Sequence, residues 1–182
     1  MSDELRPSFP WLWLLPGLVV LLGTTVWGIV VYPELPERLP QHFGPGGVDA
    51  WAEKSVAAAF VPVFVQAGVM VTMAGTAAAT LRVRTREETA AAGPESAWAS
   101  LLNRPGSRAS ALRIAKATLF LGFCIGLTTA AACAVMWRPE PRTDVPVLLL
   151  PAALLPVLAG TAVLIVVALR DRSAGARRAG AR

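Results

Sequence analysis

Charge is scarce in this sequence. Only 16% of its 182 residues are Asp, Glu, Lys or Arg, against about 25% in soluble domains. Lysine is nearly absent, with Lys54 and Lys116 alone among 17 basic residues, and His42 is the single histidine. A closed metal centre takes three or four N, S or O ligands. The segment around His42 offers Glu34, Glu37, Asp49 and Glu53 but no second imidazole and no thiol, which weighs against such a centre. Its only hydroxyls are Tyr32 and Ser55, at its two ends, so a nucleophile with a base held beside it is also missing. No catalytic residue, metal ligand or cofactor is assigned. Cysteine is limited to Cys124 and Cys133. Nine positions along a helix amount to about 900° of rotation and roughly 13 Å of rise, so the two thiols face opposite ways and do not bridge. They read as small buried apolar residues.

What the chain has in abundance is apolar length: 54% of it is hydrophobic, with a mean hydropathy of +0.54. A spanning helix needs about 20 residues without charge. Four stretches qualify: Pro10 to Tyr32, Val56 to Leu81, about Leu112 to Trp137 and about Val145 to Leu169. Arg113 and Lys116 fall in the first turns of the third, where they snorkel to the interface. Trp11, Trp13, Trp27 and Tyr32 bracket the first as interfacial aromatics do. That first span is read as retained rather than as a cleaved leader, because its core is long and no small-x-small site follows Val31. The segments outside the spans carry Lys and Arg unevenly, 13 on one side and 4 on the other. The positive-inside rule then puts both termini in the cytoplasm. The expected fold is an all-α membrane protein with four transmembrane helices, N-in and C-in, and one structured extracellular loop between helices 1 and 2. Its parts are a leader over 1–9, a helical hairpin over 10–81 enclosing the loop 33–55, a cytoplasmic basic loop over 82–111, a second helical hairpin over 112–169 and a basic tail over 170–182. The arginine bias together with abundant Ala and Gly is typical of a GC-rich bacterial genome, so the expected location is the bacterial inner membrane.

No ionisable residue lies near the middle of any span, which argues against ion pumps, proton relays and coupled transporters. The one amide at depth is Gln66, read as an interhelical hydrogen-bonding group. Gly122, Gly126, Ala130 and Ala134 form a small-residue stripe suited to close helix packing, and Gly68, Thr72, Thr76 and Thr80 form a second whose hydroxyls can bond locally. Pro151 and Pro156 are expected to bend the fourth helix and free backbone carbonyls, while Pro146 suits its start. Arg82, Arg84 and Arg86 open the basic loop and suit anionic lipid. Within that loop "PESAWASLLN" reads as a short interfacial helix, and 82–111 as a place where a cytoplasmic regulator could dock. The tail lacks interleaved aromatics, so nucleic-acid binding is not expected.

The chemically varied stretch is "YPELPERLPQHFGPGGVDAWAEKS", Tyr32 to Ser55. Pro33 stops the first helix, and Pro36, Pro40 and Pro45 favour an extended, polyproline-II-like arm. Gly46-Gly47 permits a sharp turn. Asp49 is positioned to N-cap a short helix leading into the second span, with Trp51 and Lys54 on one face of it.

The same residues resemble the Leu-Pro…Pro-x-His-Phe-Asn…Gly…Asp-x-Trp…Lys signature of bacterial membrane proteins with domain of unknown function 1648, which also forms the N-terminal part of SdpI-type immunity proteins. Matching positions are Leu35, Pro36, Pro40, His42, Phe43, Gly47, Asp49, Trp51 and Lys54. They cover about Trp27 to Gln66, a quarter of the chain. Gly44 stands where the family has Asn, which removes one polar side chain. The resemblance implies a multi-span protein with this loop exposed and, in the SdpI-type members, resistance to a secreted toxic peptide. On this reading His42, Phe43, Asp49, Trp51 and Lys54 contact a ligand or shape the loop. Gly122, Gly126 and Gln66 serve helix packing, and the partners are membrane lipids with a peptide ligand or another membrane protein. Two alternatives stand beside it: an accessory subunit that packs on a transporter or sensor through Gly122 and Gly126, and an outer-surface lipid or cell-wall enzyme using His42.

Overall fold

The computed structural model describes residues 7–44, 47–93, 104–140 and 147–180. Among these, four helices are long and apolar enough to cross a membrane: α1 (Trp11–Val31) and α2 (Val56–Arg82), then α4 (Arg108–Met136) and α5 (Leu149–Gly180). Between α1 and α2 lie a 3₁₀ turn (Tyr32–Glu34) and two strands, β1 (Arg38–Gly44) and β2 (Gly47–Glu53). A short helix α3 (Arg86–Ala92) follows α2. Three of the four expected spans match within about one turn. The fourth helix continues past Leu169 to Gly180, so the basic stretch from 170 is helical rather than a separate tail. The suggested start at Pro146 and the "PESAWASLLN" helix lie outside the described residues.

Helix α4 is the hub. It packs against α1, α2 and α5, while α5 rests mainly on α4. Two buried clusters sit at opposite ends of the bundle. Under the strands, Leu35, Leu39, Phe60, Val63, Cys133, Met136 and Trp137 pack together. At the arginine-rich end, Leu14, Met70, Leu81, Ala115 and Leu119 do so. Glycine permits the close approaches: a Cβ on Gly28 would lie 2.6 Å from the Trp137 ring, and one on Gly160 would lie 3.1 Å from the Leu121 backbone. Both cysteines are buried and unbridged.

Prolines inside the spanning helices create acceptors that neighbouring elements fill. Pro62 has no N–H for the Ala58 carbonyl, which accepts instead from Gln41 Nε2 at 3.4 Å. The next carbonyl, Ala59, accepts from Trp137 Nε1 on α4 at 3.0 Å. Pro156 repeats the pattern in α5: the carbonyl three residues before it, Ala153, accepts from Thr128 Oγ1 on α4 at 2.6 Å. Pro62 and Pro156 thus each have a side-chain bond from α4 to the carbonyl three residues before them, next to the one whose helical donor the proline removes. Pro151 falls in the first turn of α5, where it removes no helical bond.

Gly122 and Gly126 pack within the chain. Cβ atoms there would meet Met73 at 3.2 Å and Gln66 Nε2 at 2.8 Å. The face offered to an outside partner in the accessory-subunit reading is therefore already covered by α2. Gln66 is 2% exposed, and its Oε1 lies 3.3 Å from Thr129 Oγ1 on α4. Thr129 has one hydroxyl hydrogen, which the Ile125 carbonyl also accepts at 3.1 Å. Rotating the amide by 180° lets Nε2, otherwise unpartnered, donate to Thr129 instead. Either way the amide bridges α2 and α4. The second stripe lacks the close approach expected of it, Gly68 having open space beside it, while the Thr72 and Thr80 hydroxyls bond their own helix as expected. That stripe faces away from the bundle.

The described parts of the basic loop, 82–93 and 104–111, are held by specific contacts. Thr85 and Glu88 form a reciprocal capping box at the start of α3. Arg108 pairs with Glu88 through two nitrogens, one bond of 2.7 Å, and caps the end of α2 through the Leu81 and Val83 carbonyls. Buried Asp171 on α5 accepts from Arg86 at 2.7 Å and from the Gly106 N–H. Arg86 and Arg108 thus tie helices together; Arg82 and Arg84 remain exposed.

Candidate functional site: a β-hairpin on a buried foot

The segment expected as a polyproline arm and a capped helix folds instead as an antiparallel β-hairpin. Pro36 precedes β1, and Pro40 lies within it opposite Trp51, beside a ladder irregularity of the kind where strands tolerate proline. The register runs from Arg38 opposite Glu53 to Gly44 opposite Gly47. Gly47 has a φ of 113°, a conformation that favours glycine at the turn. Asp49 is consequently a strand residue. The cap of α2 is Ser55, whose hydroxyl accepts from the Ala58 N–H. The Asp49 cap and the short helix carrying Trp51 and Lys54 are corrected on this point.

The ladder has two irregularities, between Pro40 and His42 and between His42 and Phe43. They leave Gln41 and Asp49 as extra residues on their strands, and such bulges re-aim side chains. The effect is direct: His42 Nδ1 and Asp49 Oδ1 lie 2.6 Å apart, with side chains 69% and 54% exposed. An ionised carboxylate only accepts, so Nδ1 carries the hydrogen and Nε2 is the ring's remaining polar atom. Gln41 turns the other way, to the Ala58 carbonyl.

Beneath this pair the hairpin has a buried foot. Leu39 is 0% exposed, and Leu35 joins it against Ala59, Phe60, Cys133 and Trp137. Lys54 is turned inward. Its Nζ donates to the Pro33 and Leu35 carbonyls at 3.1 and 2.7 Å and lies 5.4 Å from the Tyr32 ring centroid. The Lys54 N–H closes the base by bonding the Glu37 carbonyl at 2.8 Å. Of the five loop residues singled out by sequence, His42 and Asp49 are brought together at the surface. Lys54 shapes the base, and Trp51 is half-buried opposite Pro40. The backbone of Phe43 pairs with Val48. Sequence reasoning missed Leu39, Gln41 and Trp137. Gly46-Gly47 between two short runs was the available hairpin signal. Among the described residues no group of three or more His, Cys, Asp or Glu is placed to hold a metal ion.

Four apolar helices with a hairpin mounted on one end define a multi-pass membrane protein. Residues 19–65 match the model of a family described as a domain of unknown function (DUF1648), and the chain carries that domain. The match runs from the middle of α1 through the hairpin to the residue before Gln66, so it takes in the hairpin and the helical turns it stands on. No curated protein and no solved structure matches the chain.

Proposed function

We propose that this protein sits in a bacterial inner membrane with both termini in the cytoplasm. Its hairpin, on the outer surface, recognises a membrane-active peptide of net positive charge. The observation that carries the reading is the division of the hairpin into two faces. Leu35 and Leu39 hold it to α2 and α4 and Lys54 ties its base to the Pro33 and Leu35 carbonyls, while the His42–Asp49 pair is presented outward and serves no buried contact. A rigid mount beneath an exposed polar pair is what recognition requires, since little ordering is left to do on binding. The ligand class follows from charge. Tyr32 to Ser55 holds four carboxylates and two cations in a chain whose net charge is +5, and complementary potentials steer a cationic peptide to that end. The immunity role implied by the SdpI-type resemblance belongs to this reading.

The test is sensitivity. Deleting the gene should sensitise cells to a cationic secreted peptide, and His42→Ala or Trp51→Ala at normal expression should mimic deletion. Unchanged sensitivity across a panel of such peptides would sink the proposal. A second reading, an outer-surface enzyme acting on lipid or cell-wall precursors, is favoured by one observation: a carboxylate that orients an imidazole is also the arrangement of a general base. His42→Gln separates the two. It keeps a hydrogen-bonding side chain but cannot shuttle protons, so recognition survives in part where catalysis would be abolished.

A further inference from the structure

At the arginine-rich end, a trough of about 360 Å³ opens on the outside of the bundle. Its floor includes Ala117 of α4; Trp13 of α1 forms one wall, and Val163 and Val167 of α5 form the other. Arg113 and Lys116 line it from the first turns of α4, and no carboxylate does. We propose that this trough is a binding site for one anionic phospholipid, with an acyl chain along the apolar floor and the phosphate between Arg113 and Lys116.

Three features separate this from cations that merely snorkel. The two side chains are three residues apart on one helix and therefore share a face. Lys116 is pre-placed, its Nζ lying 5.7 Å from the Trp13 ring centroid, so its position is fixed by an aromatic group that supplies no counter-charge. Arg113 bonds Ser110 Oγ at 2.8 Å through one terminal nitrogen, which orients the guanidinium and leaves its other N–H groups for phosphate. Other arginines at this end, Arg86 and Arg108, are neutralised by Asp171 and Glu88. The trough thus combines oriented, uncompensated cations with an apolar channel below them, the chemistry of a headgroup and its chain together. Basic pockets between spanning helices hold anionic headgroups in this manner.

The experiment is native mass spectrometry of the full chain in detergent, titrated with equal amounts of phosphatidylglycerol and phosphatidylcholine. The natural sequence should retain the anionic lipid about tenfold better. Arg113→Gln with Lys116→Gln should abolish that preference. Arg84→Gln with Arg172→Gln removes equal charge from the same end without touching the trough, and should preserve it. Val163→Trp fills the trough while leaving both cations in place, and should also abolish it. The proposal is overturned if the preference survives Arg113→Gln/Lys116→Gln, if it falls equally in the charge-matched control, or if Val163→Trp leaves it intact.

Discussion

At the scale of single residues, Ser55 takes the capping role that spacing suggests for Asp49. Ser55 satisfies the Ala58 N–H at the start of α2, so Ser55→Ala should destabilise the protein by about 1 kcal/mol. Asp49→Ala removes only an exposed pair with His42, a kind of contact worth less than about 1 kcal/mol, and leaves α2 capped. Thermal unfolding in detergent should rank the two variants in that order; the reverse ranking would restore Asp49 as a cap. Trp137 belongs at this scale too. Its Nε1 is the donor to a carbonyl beside the Pro62 gap, in a cluster where the ring itself is 3% exposed. Trp137→Phe keeps most of the apolar body but leaves the Ala59 carbonyl without that donor. It should cost about 1–3 kcal/mol in the same assay.

At the scale of elements, the spanning helices and the hairpin differ in how openly the sequence announces them. Twenty apolar residues between charged segments have few other solutions, so α1, α2, α4 and α5 were legible from length alone. The hairpin was not. Its two irregularities break the alternation that marks a strand, placing Leu39 and Pro40 together on the buried side and Gln41 out of step. Prolines at 36 and 40 then favour an extended arm unless a partner strand is recognised. The site was half legible: residue order picked out His42 and Asp49, but only the folded strands set them 2.6 Å apart. Lys54 was named without the inward direction that makes it structural. The hairpin's attachment is testable as a unit. Leu39→Ala empties a fully buried position and should cost about 2–5 kcal/mol. Hydrogen exchange should accelerate first in residues 38–53, with α1 and α4 remaining protected. Uniform acceleration throughout the bundle would mean that the hairpin and helices unfold as one unit.

At the scale of the whole molecule, the arrangement joins two unlike ends through α4. One end mounts a polar pair on an aromatic and aliphatic foot; the other is laced by Arg86–Asp171 and Arg108–Glu88 and carries the exposed Arg82, Arg84 and Arg172. The outward hairpin proposed above rests on the positive-inside rule, with 13 basic residues allotted to the arginine end and 4 to the hairpin end. The native thiols make this directly measurable. Cys124 and Cys133 are 3% and 0% exposed, so a membrane-impermeant maleimide should not reach them and they need not be removed. Glu53→Cys, on the exposed side of β2, should label on intact cells. Arg84→Cys should label only after permeabilisation. The margin of the charge count adds a quantitative requirement. Neutralising Arg82, Arg84, Arg170 and Arg172 together leaves nine basic residues against four, so the labelling pattern should not change. Four lysines added to the hairpin as well would bring the sides to nine and eight, and a mixed population should appear. If the hairpin cysteine is inaccessible on intact cells and the arginine-end cysteine is labelled there, the orientation is inverted. The recognition surface would then face the cytoplasm, where a secreted peptide does not meet it.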